Sequence, residues 1–450
     1  MADSQLPKSG IIYPNDYTLI NLLLLTSVAA FDVKNILVEL SYNEDLFTNS
    51  ASGYLMVVDS TGYIEKLNMN GNEFIRMTFG KADDTINVVD KIFRVFKVSK
   101  RTPENDGNTE TYSLYFCSEE LVLSEQHKIS KSYKAKDITT NVMDILTNYL
   151  KVPNNKLGVI EQTLGVYDFI VPNLKPFDAI NWMSTYARPD ATKYGADFLF
   201  FEDKFGYNFR SIQSLIVQPI YNTYSYNPKN ISQTLTDKTY NVSTYEIMDS
   251  YDTLGAINSG IFANQLISVD PLLRRYRITN FDYGAYSTSA KKLNNSPITN
   301  NYKNRFDEGI NQTPQAVTKL VFSNFNQTDS SLVKAKGGVG HDIFAETYIP
   351  YRTAQLPLLN YTRIKISVPG DSALTIGRTI SFNLLSKDAI KKEPDGFYSG
   401  NYLITAVRHL LTVHKYTTIL ELAKDSTVNM YSTVDNNLPV WKDTAKGIIK

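Results

Sequence analysis

Between residues 14 and 125 the chain sets one short alternating segment after another, and that rhythm restricts its fold more than any other feature. FDVKNILVELSY, SGYLMVVDS, GNEFIRMTFG, KIFRVFKVSKR and ETYSLYFCS each mix apolar with polar side chains in alternation, bounded by Gly, Asn, Asp or Pro. A period of two sends successive side chains to opposite faces of a strand, so each segment has one face to bury. Five to seven such strands in about 110 residues predict a small antiparallel barrel or sandwich, which hides its sheet edges. PENDGN, residues 103–108, reads as a hairpin connection. The apolar run that precedes these segments is uncharged only from Tyr17 to Phe31, short of the roughly 20 residues that span a bilayer. Lys8 is offset by Asp3 and Asp16, a poor basic region for a signal peptide, so the run is read as buried strand.

The period then changes. DITTNVMDILTNYL places Ile138, Val142, Ile145, Leu146 and Tyr149 at helical spacing behind Asp137, which suits a helix cap. A second helix is predicted from Pro176 to Tyr186, with Arg188 and Pro189 ending it. GADFLFFEDKFGYNFRSI returns to strands joined by a turn at Asp203 and Lys204, giving a mixed α/β module over residues 126–215. Residues 216–255 mix strand and turn formers. Residues 256–340 form an inserted region with short strands such as RRYRITNF, a long loop over 287–305 and a break at Gly337 to Gly340 that lacks the GK[ST] ending of a phosphate loop. After HDIFAETYIPYRTAQLPLLN, interrupted by Pro350 and Pro357, about four strands follow over 361–425, and 426–450 reads as a C-terminal arm.

Composition narrows the function. The 46 basic residues cancel 46 acidic ones in 450, which argues against a polybasic nucleic-acid binder, and 42% hydrophobic residues argue against disorder. A lone Cys117 excludes an intrachain disulfide and every CxxC site, and four scattered His leave little for zinc. The 30 Tyr and 22 Phe against 2 Trp favour strands and suit protein contacts. No catalytic constellation emerges: there is no HExxH and no GxSxG, and His409 and His414 span one strand-turn unit in which a core-edge or hydrogen-bonding role outweighs metal binding. Glu119 and Glu120, taken as strand neighbours, point to opposite faces and cannot converge as a carboxylate pair. The chain is therefore read as no enzyme, with no catalytic, cofactor or metal residues.

MNGNEFIRMTFG resembles the strand-turn-strand of the baseplate hub family typified by the phage T4 tail hub, which joins the tail tube to the cell-puncturing spike. FDAINWMSTYA, AETYIPYRTAQLPLLN and GNYLITAVRHLL followed by TTILELAK resemble later parts of that family in the same order. Gly400, Tyr402 and His409 form a pattern similar to the tube-type domains of contractile-tail hubs and type VI secretion spikes.

The resemblance implies a β-dominated, multidomain α+β fold with two tube-type antiparallel β-barrels, the first over residues 14–125 and the second discontinuous over 216–255 and 341–425. It implies a homotrimer whose six barrels ring a DNA channel and adapt a six-fold tail tube to a three-fold spike. The implied partners are a second and third copy, the spike protein, the tail tube protein and neighbouring baseplate proteins. DNA passes without specific binding, no cofactor is needed and no stable membrane insertion occurs. The implied location is the virion baseplate, after assembly in the host cytoplasm. Tyr402 and Trp182 are candidate contact aromatics, although a buried aromatic is more often core. The hub of a related contractile injection system and a β-rich adhesin or receptor-binding virion protein are the alternatives; a glycan-degrading enzyme would require a converging carboxylate pair.

Overall fold

The computed structural model describes residues 13–27, 29–67, 69–82, 84, 86–103, 109–189, 197–226, 239–250, 252–271, 274–298, 317–322, 345–386 and 394–429. The alternating segments at the start form β1 (Tyr17–Leu25), β2 (Ala30–Asp32), β3 (Leu37–Asp45), β4 (Ser52–Asp59), β5 (Phe74–Lys81), β6 (Val89–Pro103) and β7 (Glu110–Cys117). They run antiparallel in the order β2-β1-β5-β6-β7-β4-β3. In β4 the residues Gly53, Leu55 and Val57 are buried while Tyr54, Met56 and Val58 are half-buried, the two-residue period made physical. The inward set, including Leu22, Leu40, Leu55, Met77, Phe93 and Phe116, forms one core.

The mixed module has its own core of Val142, Leu146, Phe169, Ile180, Phe198 and Phe209. β8 (Ile129–Lys136) pairs with β10 (Tyr167–Leu174), and β9 (Leu157–Ile160), β11 (Phe198–Glu202) and β12 (Tyr207–Ser211) form a second small sheet in the order β11-β12-β9. Asp137 caps the Ile138–Asp144 helix by accepting from the Thr140 amide at 2.9 Å, and the helix continues as a π-type turn over Ile145–Tyr149. The Pro176–Ser184 helix carries proline in its first turn, where no amide partner is lost. Glu119 and Glu120 correct the strand reading: they open the Glu119–Gln126 helix, whose N-terminal end favours acidic side chains. Helical neighbours diverge by about 100°, so the pair still does not converge.

The later β section gathers β13 (Ile220–Tyr226), β14 (Thr244–Ser250), β19 (Thr362–Pro369), β20 (Thr379–Leu384), β21 (Gly400–Thr412) and β22 (Lys415–Ala423). Between them in the chain come β15 (Ala263–Asp270), β16 (Arg275–Asp282), β17 (Ser296–Pro297) and β18 (Val317–Phe322). The order β14-β19-β22-β21-β20-β13 returns on itself, because the Ser225 amide donates to the Tyr240 carbonyl and the Val242 amide to the Ser225 carbonyl just before β14 begins. A second core, with Ile364, Ile366, Phe382, Tyr402, Ile404 and Leu420, fills this ring. Antiparallel pairing of Ala406 to Thr412 in β21 with Glu39 to Asp45 in β3 fuses both sections into one 13-stranded sheet.

The Ala345–Leu358 helix runs through Pro350 and Pro357, where the sequence predicts an interruption. Proline removes one helical hydrogen bond. The helix persists because Ala345, Tyr348, Ala354 and Leu358 are buried on one side, and the Pro350 carbonyl accepts from Asn264 Nδ2 at 3.0 Å. Its partner is the three-stranded sheet β16-β15-β18 of the inserted region. Part of the expected 287–305 loop is ordered as β17, which pairs with β23 (Ser426–Thr427) at the head of the expected arm. Polar side chains are the reason: the Leu293 amide donates to Asp425 Oδ1 at 3.1 Å and the Asn294 amide to Ser426 Oγ at 2.7 Å. The Gly337 to Gly340 break, and the arm beyond residue 429, lie outside the described residues. Among those described, no helix is long and apolar enough to cross a membrane.

Candidate functional site

Strand register lays two rows of side chains across the outward face of the 13-stranded sheet. The first is Thr417, Leu410, Ser41, Tyr54, Tyr115 and Lys97, one residue from each of β22, β21, β3, β4, β7 and β6. The second is Glu246, Lys365, Glu421, Ala406 and Asp45, from β14, β19, β22, β21 and β3. Arg363, Arg408 and Lys97 on this face each lie against a carboxylate or a ring. Lys365 stands between Glu246 and Glu421 in register, and Arg363 reaches Glu421 at 3.0 Å and Asp249 at 3.7 Å. Arg408 donates to Ser41 Oγ and the Tyr54 hydroxyl, each at 2.9 Å, and lies 3.7 Å from Glu39, to which Tyr54 also donates. Lys97 sits 5.6 Å from the Tyr115 ring. The face is thus polar and aromatic in part, with Arg363 and Arg408 paired to carboxylates.

Behind it lies a buried polar junction. Lys91 occupies an inward position of β6 and donates to Glu202 Oε1 at 3.1 Å and to the Asp203 carbonyl at 2.8 Å; the two side chains are 7% and 2% exposed. Glu202 also accepts from the Ala51 amide at 3.0 Å and from the Ser118 hydroxyl. Lys204 donates to the Ser372 carbonyl at 2.8 Å, while Ser372 Oγ accepts from the Lys81 amide at 3.2 Å. One turn of the mixed module therefore bonds to both β sections. Burial lowers the Lys204 pKa.

Glu44, on β3, accepts from the Tyr42 hydroxyl at 2.8 Å, the Ile376 amide at 3.1 Å and the Thr375 hydroxyl. Burial, with the Asp203 charge adding to it, raises its pKa to about 7 against these bonds. His409 on β21 shares a 2.7 Å hydrogen bond with the Tyr416 hydroxyl and stacks on Tyr42 at 5.7 Å. It sits between Val407, in the second core, and Leu411, in the first. Burial first, then the Lys204 charge, lowers its pKa to about 3, so the imidazole is neutral at physiological pH.

The hydrogen-bonding role read for His409 is the one it takes, and His414 falls in the turn between β21 and β22. Tyr402 is fully buried, its hydroxyl donating to the Tyr398 carbonyl at 2.6 Å, so it is core. Trp182 packs against the module core, 5.3 Å from the Phe169 ring. Cys117 is buried and its thiol pushed up to about 11 by that burial, which leaves it unreactive at neutral pH. Among the described residues no group of three His, Cys, Asp or Glu is placed to hold a metal ion. Sequence reasoning missed the Lys91 and Glu202 pair. The signal was present in KIFRVF, where Lys91 shares the parity of the core residues Phe93 and Val95.

Gly400 adopts φ +130°, and a Cβ there would lie 2.6 Å from Asn294 Oδ1 and 2.8 Å from Val428 Cγ2. Gly400→Ala is expected to destabilise the protein by about 1–3 kcal/mol, read as a lowered urea midpoint, because it adds backbone strain to overpacking.

No protein-family model matches the chain. It is 23% identical over 415 residues to the probable baseplate hub protein gp334 of Vibrio phage KVP40, covering 89% of this chain and 92% of that protein. The 43 kDa tail protein of prophage MuSo2 from Shewanella oneidensis shares the fold with a TM-score of 0.52 at 8% identity, over 90% of this chain and 99% of that one. A tail protein from Neisseria meningitidis MC58 does so with a TM-score of 0.51 at 10% identity, over 91% and 96%. The resemblance to the baseplate hub family thus runs along nearly the whole chain.

Proposed function

We propose that this chain, a relative of the phage baseplate hub proteins, is the structural hub of a contractile phage tail, a homotrimer that adapts the tail tube to a three-fold spike around a DNA channel. The observation that carries the reading is the single sheet running through two β sections in one subunit. Three copies supply six such sections, and the β21 with β3 pairing holds the two within a subunit in fixed relation, as a ring with pseudo-six-fold symmetry requires. The outward face suits a channel lining: Arg363 and Arg408 are already engaged by Asp249, Glu421 and Glu39, which leaves these cations less able to clamp a passing phosphate backbone. The spike, the tail tube protein and neighbouring baseplate proteins are the partners, with the virion baseplate as location, assembly in the host cytoplasm and no enzymatic role.

Light scattering after size-exclusion chromatography is expected to give about 153 kDa, three times the 50.9 kDa chain, with ring-shaped projections in negative stain. A monomer that stays monomeric with its spike partner overturns the proposal. Glu246→Lys with Glu421→Lys leaves Lys365 between cations. That variant is expected to retain duplex DNA at about 0.15 M salt where the native protein does not, measured by fluorescence anisotropy.

A further inference from the structure

QHKISKSYKAK, residues 126–136, carries four lysines, one histidine and no carboxylate in a chain of zero net charge. Most of it is β8, which with β10 makes a two-stranded ribbon outside the 13-stranded sheet. Among the described residues neither strand has a second partner, and no backbone bond from elsewhere reaches β8. The edge of β8 away from β10 therefore presents alternate N–H and C=O groups unpaired. One side of the ribbon, with Ile129, Tyr133 and Val171, belongs to the module core. On the other, Ser130 lies opposite Pro172 and Ser132 opposite Ile170, and all four are exposed, Ile170 by 75%. The small serines leave a shallow hollow beside Ile170 and Pro172, and their hydroxyls make no hydrogen bond among the described residues.

Lysines stand at both ends of this hollow. Lys131 is engaged by Asp144 at 2.6 Å and Lys156 by Glu120 at 2.8 Å, whereas the exposed Lys128, Lys134 and Lys136 form no ion pair among the described residues. A bulge helps to display two of them. Between Tyr133 and Lys136 the register slips, Ala135 takes φ +51° and its amide donates to Asp168 Oδ1 at 2.7 Å, and residues 134–136 are all exposed. Lysine on an open edge repels other cationic strands, but it favours a strand rich in carboxylates, because side chains opposite each other across a ladder lie about 5 Å apart. Single-stranded nucleic acid fits less well. It is held by stacking on exposed rings, and the ribbon's Tyr133, Tyr167 and Phe169 are buried.

We propose that the open edge of β8 takes an extended, carboxylate-rich segment of a partner protein as a third strand, with acidic side chains beside the lysines and an apolar one over Ser130 and Ser132 toward Ile170. The proposal does not rest on the hub reading: it concerns a face outside the large sheet, and its readout needs no trimer. Fluorescence anisotropy of the full-length protein with a labelled heptapeptide of alternating Glu and Val tests it. The peptide is expected to bind saturably at about 0.05 M salt and more weakly at about 0.5 M, and its Lys-for-Glu analogue not at all. Lys134→Gln with Lys136→Gln is expected to weaken binding about tenfold at an unchanged melting temperature. Methylation of every backbone amide of the peptide is expected to do the same, since it removes the donors of the ladder. Equal affinity of the methylated peptide, equal affinity in the double variant, tighter binding of a seven-nucleotide oligothymidylate, or no saturable change up to about 1 mM peptide each overturns the proposal.

Discussion

Lys91→Met is expected to lower the unfolding free energy by about 3–5 kcal/mol, the largest single-residue effect foreseen for this chain. The substitution fills the same space but leaves Glu202 buried with its charge uncompensated, and it removes the bond to the Asp203 carbonyl. The Ala51 amide and Ser118 hydroxyl still serve Glu202, and neither carries a charge. Adding Glu202→Gln to Lys91→Met removes the stranded carboxylate, so the double variant is expected to recover at least about 1 kcal/mol relative to Lys91→Met alone. Urea denaturation followed by far-UV circular dichroism reads both, and a double-mutant cycle with no coupling would show that the pair does not act as a unit. The half-exposed Arg76 and Asp90 pair, 3.3 Å apart, provides the contrast, since breaking it is expected to cost less than about 1 kcal/mol.

Stability is expected to fall by about 3 kcal/mol through Glu44 alone as pH rises from about 4.5 to about 7. The folded-state pKa lies above the ordinary value of 4.5, at about 7. Within that window the folded state holds a proton that the unfolded chain has released. The contribution is therefore complete below the lower value and gone above the higher one, opposite to the usual behaviour of a carboxylate held by a cation. Asp197, raised to about 6 by burial, and Asp203, also raised by burial, add slopes of the same sign. The difference between native protein and Glu44→Gln, measured as urea midpoints across this range, isolates the Glu44 share. A parallel pair of curves would exclude Glu44 as a titrating group of the junction. The carboxamide introduced by Glu44→Gln keeps an oxygen for the Ile376 amide and offers its NH2 group to hydroxyls that can turn to accept it, so the variant is expected to fold.

What is legible in the sequence follows from the range of the forces. The Asp137 cap is read three residues away, and the alternation of β4 or β22 shows because each has one wet and one dry face. The Glu119–Gln126 helix escapes a sequence reading because only Glu120 and Ser124 in it are buried, so no apolar stripe marks its period. The Ser- and Asn-rich stretch before β17 reads as loop because polarity is the usual mark of one. Its polar groups are spent on Asp425 and Ser426, a pairing across 132 residues that no local window contains. The outward rows and the buried junction are hidden for the same reason: Lys91 and Glu202 lie 111 residues apart, and the register of β3 with β21 is set by tertiary contact alone.

The pairing of β3 with β21 also sets an order of events during synthesis. β3 is complete at Asp45, but its partner ends at Thr412. At roughly 5–20 residues per second the growing chain carries β3 with one edge unpaired for about 20–70 s. The first core waits equally long for Leu411 and Tyr416, which come from the far end of the chain. An N-terminal fragment ending near residue 125 thus presents an open strand edge and an unfilled core, the combination that favours intermolecular pairing. A fragment of residues 14–125 is therefore expected to aggregate at concentrations where the full chain stays in solution, as read by sedimentation of the two side by side. The ribosome-bound form of this section is the stage at which a chaperone that shields strand edges would raise the yield of soluble protein.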